Sequence, residues 1–172
     1  MLNSFTLVIG GASSGKSRYA EGQINAHTGS KLYIATAQVF DDEMAAKIAA
    51  HQSDRDARWR TLECPFAPWE GVAQAASDEI VLLDCATMWL SNLLLTDGDI
   101  ATATDQLCAA IAQCAAPVVV VTNEVGHGIV PENALARAFR IEQGRLNQRL
   151  ATQADRVVAV MAGLPFALKG TL

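Results

Sequence analysis

Short apolar runs bounded by glycine and polar residues alternate along this chain with stretches whose apolar positions recur about every three or four residues, which predicts strands and helices in turn. Phe5, Leu7, Val8 and Ile9 form an apolar run that enters a glycine-rich loop, and residues 16–26 follow as a helix. Lys31–Thr36 reads as a second strand, and Asp41 caps a helix to about Ala57, since an N-cap carboxylate accepts orphan N–H bonds and suits the helix dipole. Arg58–Glu63 alternates as a strand does; Phe66–Ser77 reads as a helix despite its prolines. Next come strand Glu79–Cys85, helix Ala86–Leu95, helix Thr102–Cys114, the fully apolar strand Pro117–Thr122, helix Glu132–Ala154 and a last strand, Arg156–Met161. Strands alternating with helices predict an α/β fold with a mostly parallel sheet flanked by helices. No repeat, low-complexity tract or flexible linker interrupts the series, so one domain over residues 1–172 is expected.

A chain of 172 residues can bury roughly 70% of its unfolded surface without disulfide or metal staples. Its net charge of −5 provides no broad basic field, which argues against nucleic acid or an anionic membrane as a general partner. Cys64, Cys85, Cys108 and Cys114 form no CxxC pair and lie in apolar segments, as reduced core thiols do, which points to the cytoplasm. No apolar stretch approaches the roughly 18 residues of a membrane span, and no positive charge precedes the first apolar run as in a targeting signal.

The loop reads Gly10-x-x-x-x-Gly15-Lys16-Ser17, between a strand and a helix. That is the setting of a phosphate-binding loop: glycines let successive N–H groups turn inward, and those donors with the positive helix end cradle polyphosphate. Lys16 is placed to reach the outer phosphates and the Ser17 hydroxyl to ligate Mg²⁺. An ordinary Gly/Ser turn is the bland alternative. Asp84 ends a buried strand, where ligands of open α/β sheets gather, and either binds magnesium through water or caps the helix beginning at Ala86. His51 has Lys47 and Arg55 at i−4 and i+4 on one helix face. Two cations beside it favour the neutral ring, a nucleophile, although from spacing alone a solvated helix face is the favoured reading. Asn123, Glu124 and the Gly126–Pro131 loop follow a buried strand as an active-site loop or as a structural turn.

Nearly end to end, the chain resembles the bifunctional adenosylcobinamide kinase / adenosylcobinamide-phosphate guanylyltransferase family of cobalamin biosynthesis. The carrying segments are GGASSGKSRYAE (Gly10–Glu21), YIATAQVFDDEMAAKIAAHQ (Tyr33–Gln52), WRTLE (Trp59–Glu63), VTNEVGHGIVPEN (Val121–Asn133) and GRLNQRLA (Gly144–Ala151). The resemblance implies a RecA-type P-loop sheet and a homotrimer. It makes Gly10, Gly11, Ala12, Ser13, Ser14, Gly15, Lys16 and Ser17 the nucleotide-phosphate loop, with Ile34, Ala35 and Thr36 a strand end that also contacts GTP. His51 matches the covalent GMP carrier, Gln52, Ser53, Asp54 and Arg55 a GTP-contacting segment, and Glu63 and Asp84 two acidic positions of the nucleotide site. The substrates implied are ATP or GTP, adenosylcobinamide and its phosphate.

Two displacements follow from that resemblance: a γ-phosphoryl transfer to the aminopropanol hydroxyl of adenosylcobinamide, then GMP transfer from GTP through His51 to the new phosphate. Three positions depart from the family pattern. Ser13 stands where relatives often carry arginine, Ile141 where aspartate usually follows Phe-Arg, and His127 where methionine is common. Other readings of the residues are a plain P-loop kinase or NTPase with His51 a surface residue, and a GTP-binding regulatory subunit without turnover.

Overall fold

The computed structural model describes residues 4–38 and 57–172. The helix expected from Asp41, with His51 and Gln52 to Arg55, lies outside the described residues. Seven strands form one sheet: β1 (Phe5–Gly10), β2 (Lys31–Ala35), β3 (Trp59–Glu63), β4 (Ile80–Asp84), β5 (Val118–Asn123), β6 (Arg156–Met161) and β7 (Leu164–Lys169). Their spatial order is β3-β2-β4-β5-β1-β6-β7. All neighbours are parallel except β6 and β7. The described helices are α1 (Lys16–Asn25), α2 (Pro68–Ala73), α3 (Ala86–Leu95), α4 (Ile100–Gln113) and α5 (Ala134–Gln153).

The central strands are continuous apolar runs because both faces of the sheet are covered. On one face Leu7, Leu32, Ile34, Val81, Leu83 and Val120 pack with Trp89 and Leu90 of α3, Leu107 of α4, and Leu146 and Leu150 of α5. On the other, Val8, Tyr33, Leu82, Val121 and Val158 pack with Ala20 and Ile24 of α1. Each such fully buried side chain stabilises the fold by about 1.5–3 kcal/mol relative to exposure. Trp89, wholly buried, meets Trp69 edge to face at 6.4 Å and donates its Nε1–H to the Phe66 carbonyl at 3.0 Å. Among the described residues, no helix is long and apolar enough to cross a membrane.

Several boundaries differ from the sequence reading for local reasons. Helix α2 is shorter than Phe66–Ser77: it starts at Pro68, whose missing N–H costs nothing at the first helical position, whereas the residue before a proline disfavours helix. Helix α4 starts at Ile100 rather than Thr102 because Asp99 caps it, its carboxylate accepting from Thr102 N–H at 3.0 Å. Cys85, not Asp84, caps α3, its sulfur accepting from Met88 N–H at 3.5 Å. Strand β6 is not the last. Ala162 (φ 53°) and Gly163 (φ 78°) form a two-residue turn with positive φ at both positions, which returns the chain as the antiparallel edge strand β7. Pro165 is tolerated there because an edge strand has an outward side that needs no ladder donor.

Candidate functional site

Residues Gly10–Ser17 join the end of β1 to the first turn of α1. Gly15 is the N-cap with φ 92°, a left-handed conformation that a side chain disfavours. A Cβ there would stand 3.0 Å from Gly163 Cα, and one at Gly10 would meet Ser14 Oγ at 2.4 Å and the Val160 carbonyl at 2.6 Å. The turn between β6 and β7 thus braces the loop directly, with Gly163 N–H donating to the Ser14 carbonyl at 2.8 Å. The sequence pattern does not mark Gly163, because Ala-Gly is not among the dipeptides that favour a two-residue hairpin turn. Within the loop, Ser14 N–H donates to the Gly11 carbonyl at 3.3 Å, Ala12 and Ser13 are exposed, and Ser13 adopts φ 54°. Lys16 folds back over the loop, its Nζ donating to the Gly11 carbonyl at 3.1 Å, so its charge stands above the curled backbone. Ser17 follows, half-buried, in the first turn of α1.

Parallel register brings the other described candidates to the same end of the sheet. Glu63 lies opposite Ala35, Ala35 opposite Asp84, Asp84 opposite Val121, and Val121 opposite Val8. One row across five strands therefore holds Glu63, Ala35 and Asp84, on the face packed by α1, because residues opposite one another in a parallel sheet share a face. Strand β5 separates β4 from the phosphate-loop strand, so Asp84 stands two strand spacings, roughly 10 Å, from β1. Tyr33 donates its hydroxyl to Asp84 Oδ2 at 3.2 Å. Ile34 reaches the strand end, but its side chain is wholly buried in the opposite layer, leaving only its main chain toward a ligand. Thr36 is also buried, its hydroxyl joined to the backbone of Cys85.

The Cys85 thiol reports on this neighbourhood. Burial first, and then the Asp84 carboxylate, push it up to about 11, while the Lys16 ammonium acts in the opposite direction. The phosphate loop follows the carboxyl end of β1 and Asp84 is the last residue of β4, so both stand at the same end of the parallel sheet. The oxygens of Ser17 and Asp84 are hard donors of the kind magnesium prefers. Among the described residues, no group of three or more His, Cys, Asp or Glu is arranged to hold a metal. That donor set fits an ion held by one or two protein oxygens and completed by water and phosphate oxygens.

Asn123, the last residue of β5, lies opposite Gly10, and Glu124 N–H donates to the Gly10 carbonyl at 3.0 Å. The loop that follows rests on a buried amide network. Thr122 Oγ1 donates to Asn147 Oδ1 at 2.8 Å, Gln143 Nε2 donates to Thr122 Oγ1 at 3.0 Å, and Asn147 Nδ2 donates to the Asn123 carbonyl at 2.9 Å. Gln143 and Asn147, four residues apart on one face of α5, were the available signal for this support. Glu142 is paired with Arg145 at 2.5 Å, one position beyond the exposed Ile141. His127 is exposed, and His27, in the loop after α1, is half-buried with Nε2 3.3 Å from the Asp78 carbonyl.

The chain is similar to known proteins along most of its length. A family model described as cobinamide kinase / cobinamide phosphate guanyltransferase matches residues 6–168. The bifunctional adenosylcobalamin biosynthesis protein CobU of Salmonella typhimurium is 48% identical, over 95% of this chain and 98% of its own length. CobU of Escherichia coli is 43% identical over the same shares, and CobP of Pseudomonas aeruginosa is 42% identical over 95% and 96%. Among solved structures, a Pyrococcus horikoshii protein superposes with TM-score 0.58 at 10% identity, covering 97% of this chain and 86% of that one. A KaiC-like protein from the same organism superposes with TM-score 0.51 at 10% identity, over 91% and 70%. These two likenesses concern the fold alone, a mostly parallel sheet flanked by helices.

Proposed function

Because the chain belongs to the cobinamide kinase / cobinamide phosphate guanyltransferase family, we propose that it phosphorylates adenosylcobinamide with ATP or GTP and then transfers GMP from GTP to that phosphate, yielding adenosylcobinamide-GDP and pyrophosphate in cobalamin biosynthesis. The observation that carries this reading is the pairing of the Gly10–Ser17 loop with Asp84 and Glu63 at the carboxyl end of one sheet, with the Lys16 ammonium over the loop. One kinase/guanylyltransferase domain over residues 1–172 suffices for both steps.

In the first step the aminopropanol hydroxyl oxygen bonds to the γ-phosphorus, the bridging β–γ P–O bond breaks, and the nucleoside diphosphate leaves as the hydroxyl proton is released. Lys16 and the loop N–H groups stabilise charge on the transferring group. Ser17 and Asp84 would hold Mg²⁺, which when bound neutralises phosphate charge. Main-chain groups of Ile34 to Thr36 and the Glu63 carboxylate orient the nucleotide.

In the second step a ring nitrogen of His51 bonds to the α-phosphorus of GTP and pyrophosphate leaves, giving a phosphoramidate. An oxygen of the acceptor phosphate then attacks that phosphorus, the P–N bond breaks, and neutral His51 is restored. Gln52 to Arg55 contact the same GTP. Splitting the transfer lets pyrophosphate depart before the bulky acceptor approaches. The four free cysteines suit a reducing cytoplasm, and the net charge of −5 fits no nucleic-acid partner. Assembly is proposed as a homotrimer; the exposed apolar side chains of β7, Leu164, Phe166 and Leu168, support association without fixing the number of subunits.

The test is incubation with Mg²⁺ and GTP labelled at the α-phosphate, beside His51→Ala. Acid-labile, base-stable label on the parent alone is expected; no label on either, with GTP bound, would leave a P-loop kinase without a covalent intermediate. Lys16→Ala should slow phosphorylation of adenosylcobinamide by about 2–4 kcal/mol of transition-state stabilisation, read as kcat/KM.

A further inference from the structure

A groove of ≈ 540 Å³ opens between the loop after β5 and the exposed side of α5, lined by Gly126, Val130, Arg137, Arg140, Ile141 and Arg145 among others. Three arginines on one short surface stand out in a chain of net charge −5. Glu142 is the carboxylate paired with one of them, Arg145. The other two are held by carbonyls, which orient a guanidinium without cancelling its charge: Arg140 Nη2 donates to the Gly126 carbonyl, and Arg137 Nη1 donates to the Pro131 carbonyl at 3.0 Å and the Glu132 carbonyl at 2.5 Å. A guanidinium carries five N–H donors, so each retains donors in a fixed fork suited to a tetrahedral anion.

The groove adjoins the phosphate loop. Glu124 N–H is 3.0 Å from the Gly10 carbonyl, and Gly126 follows two residues later. At no more than roughly 3.6 Å of chain per residue, the Gly126 end of the groove lies within about 10 Å of the last residue of β1. The exposed side chains of Val130 and Ile141 supply apolar surface beside the cations.

We propose that this groove binds the phosphate of the acceptor in guanylyl transfer, a phosphate monoester dianion carried on a large ring system whose arm rests against Val130 and Ile141. The assignment rests on the function proposed above. It gives the enzyme a means of retaining the phosphorylated product of the first step as the substrate of the second, because the arginines recognise a charge that the unphosphorylated acceptor lacks.

The experiment is calorimetric binding of adenosylcobinamide phosphate and of adenosylcobinamide to the full chain, comparing the parent with Arg137→Ala and with Val130→Asp. The second variant adds a carboxylate at an exposed loop position of the groove and leaves the arginine–carbonyl contacts in place. The parent should bind the phosphorylated form about ten- to a hundredfold more tightly, and both variants should lose most of that preference. A parent without the preference, or variants that retain it, overturns the proposal. Equal weakening of both ligands with a lower melting temperature would make the arginines loop supports only, and a changed oligomeric state with an unchanged preference would make the groove a subunit contact; either overturns it. Failure of the functional reading is separable: absent GMP transfer from labelled GTP would sink that reading, whereas binding needs no turnover.

Discussion

Thr36 and Cys85 tie the ends of β2 and β4 together with a reciprocal pair of hydrogen bonds: the Thr36 hydroxyl donates to the Cys85 carbonyl at 2.7 Å and accepts from the Cys85 N–H at 2.9 Å. The clamp fixes the backbone immediately after Asp84, whose own carbonyl accepts from Thr36 N–H at 3.4 Å. Thr36→Val keeps the volume but strands two buried backbone groups. It should cost about 1–3 kcal/mol in stability and weaken GTP binding, whereas Thr36→Ser should retain most of both, measured by thermal unfolding and nucleotide titration.

Gly15→Ala tests the phosphate loop. Its φ of 92° and the 3.0 Å approach of a Cβ to Gly163 Cα mean that the substitution strains both the loop and the turn bracing it. A loss of about 1–3 kcal/mol is expected. Nucleotide affinity should fall with it, because the N–H groups that face phosphate are the ones displaced. Undiminished affinity and melting temperature would show that the loop relaxes freely.

Cys85 gives a prediction in alkaline solution. Burial and Asp84 hold its thiol protonated, with a pKa of about 11, so it should resist thiol reagents at pH 8 in the folded protein and react on unfolding. A raised folded value means that the protonated form is favoured by folding. Its contribution is complete below the unfolded value of about 8.5 and is lost as pH rises toward 11. Melting temperatures from pH 8 to 11 should fall less steeply in Cys85→Ala than in the parent.

At the opposite pH extreme the pair Arg60–Glu79 matters. Arg60 donates to both carboxylate oxygens of the nearly buried Glu79, at 2.6 and 2.7 Å, and Ala76 N–H adds a third bond at 2.8 Å. Chiefly through the Arg60 bond, Glu79 is held below the usual carboxylate range. A lowered value means the stabilisation is present above the unfolded value of about 4.3 and disappears as pH falls through the folded one. Arg60→Ala should remove about 1–3 kcal/mol at pH 7 and flatten the profile below pH 4.5, read as melting temperature against pH.

Much of this molecule is written in local pattern. The loop between β1 and α1 was legible because strand, glycine spacing, Lys16, Ser17 and helix are contiguous, and contiguous residues are related by backbone geometry alone. The parallel strands were legible because burial on both faces leaves unbroken apolar runs such as Val118–Val121. Local caps at Asp99 and Cys85 set the ends of α4 and α3, moving boundaries by a residue or two or changing which residue caps. Strand β7 is not legible in the sequence because Leu164–Lys169 is an exposed edge without strict apolar–polar alternation, formed by its turn and by pairing with β6. Strand order was beyond local pattern altogether. That β5 stands between β1 and β4, that Glu63, Ala35 and Asp84 share one row, and that Arg140 reaches the Gly126 carbonyl depend on segments far apart in the chain. Their meeting is decided by which faces bury together, a property of the whole sheet rather than of any stretch of sequence.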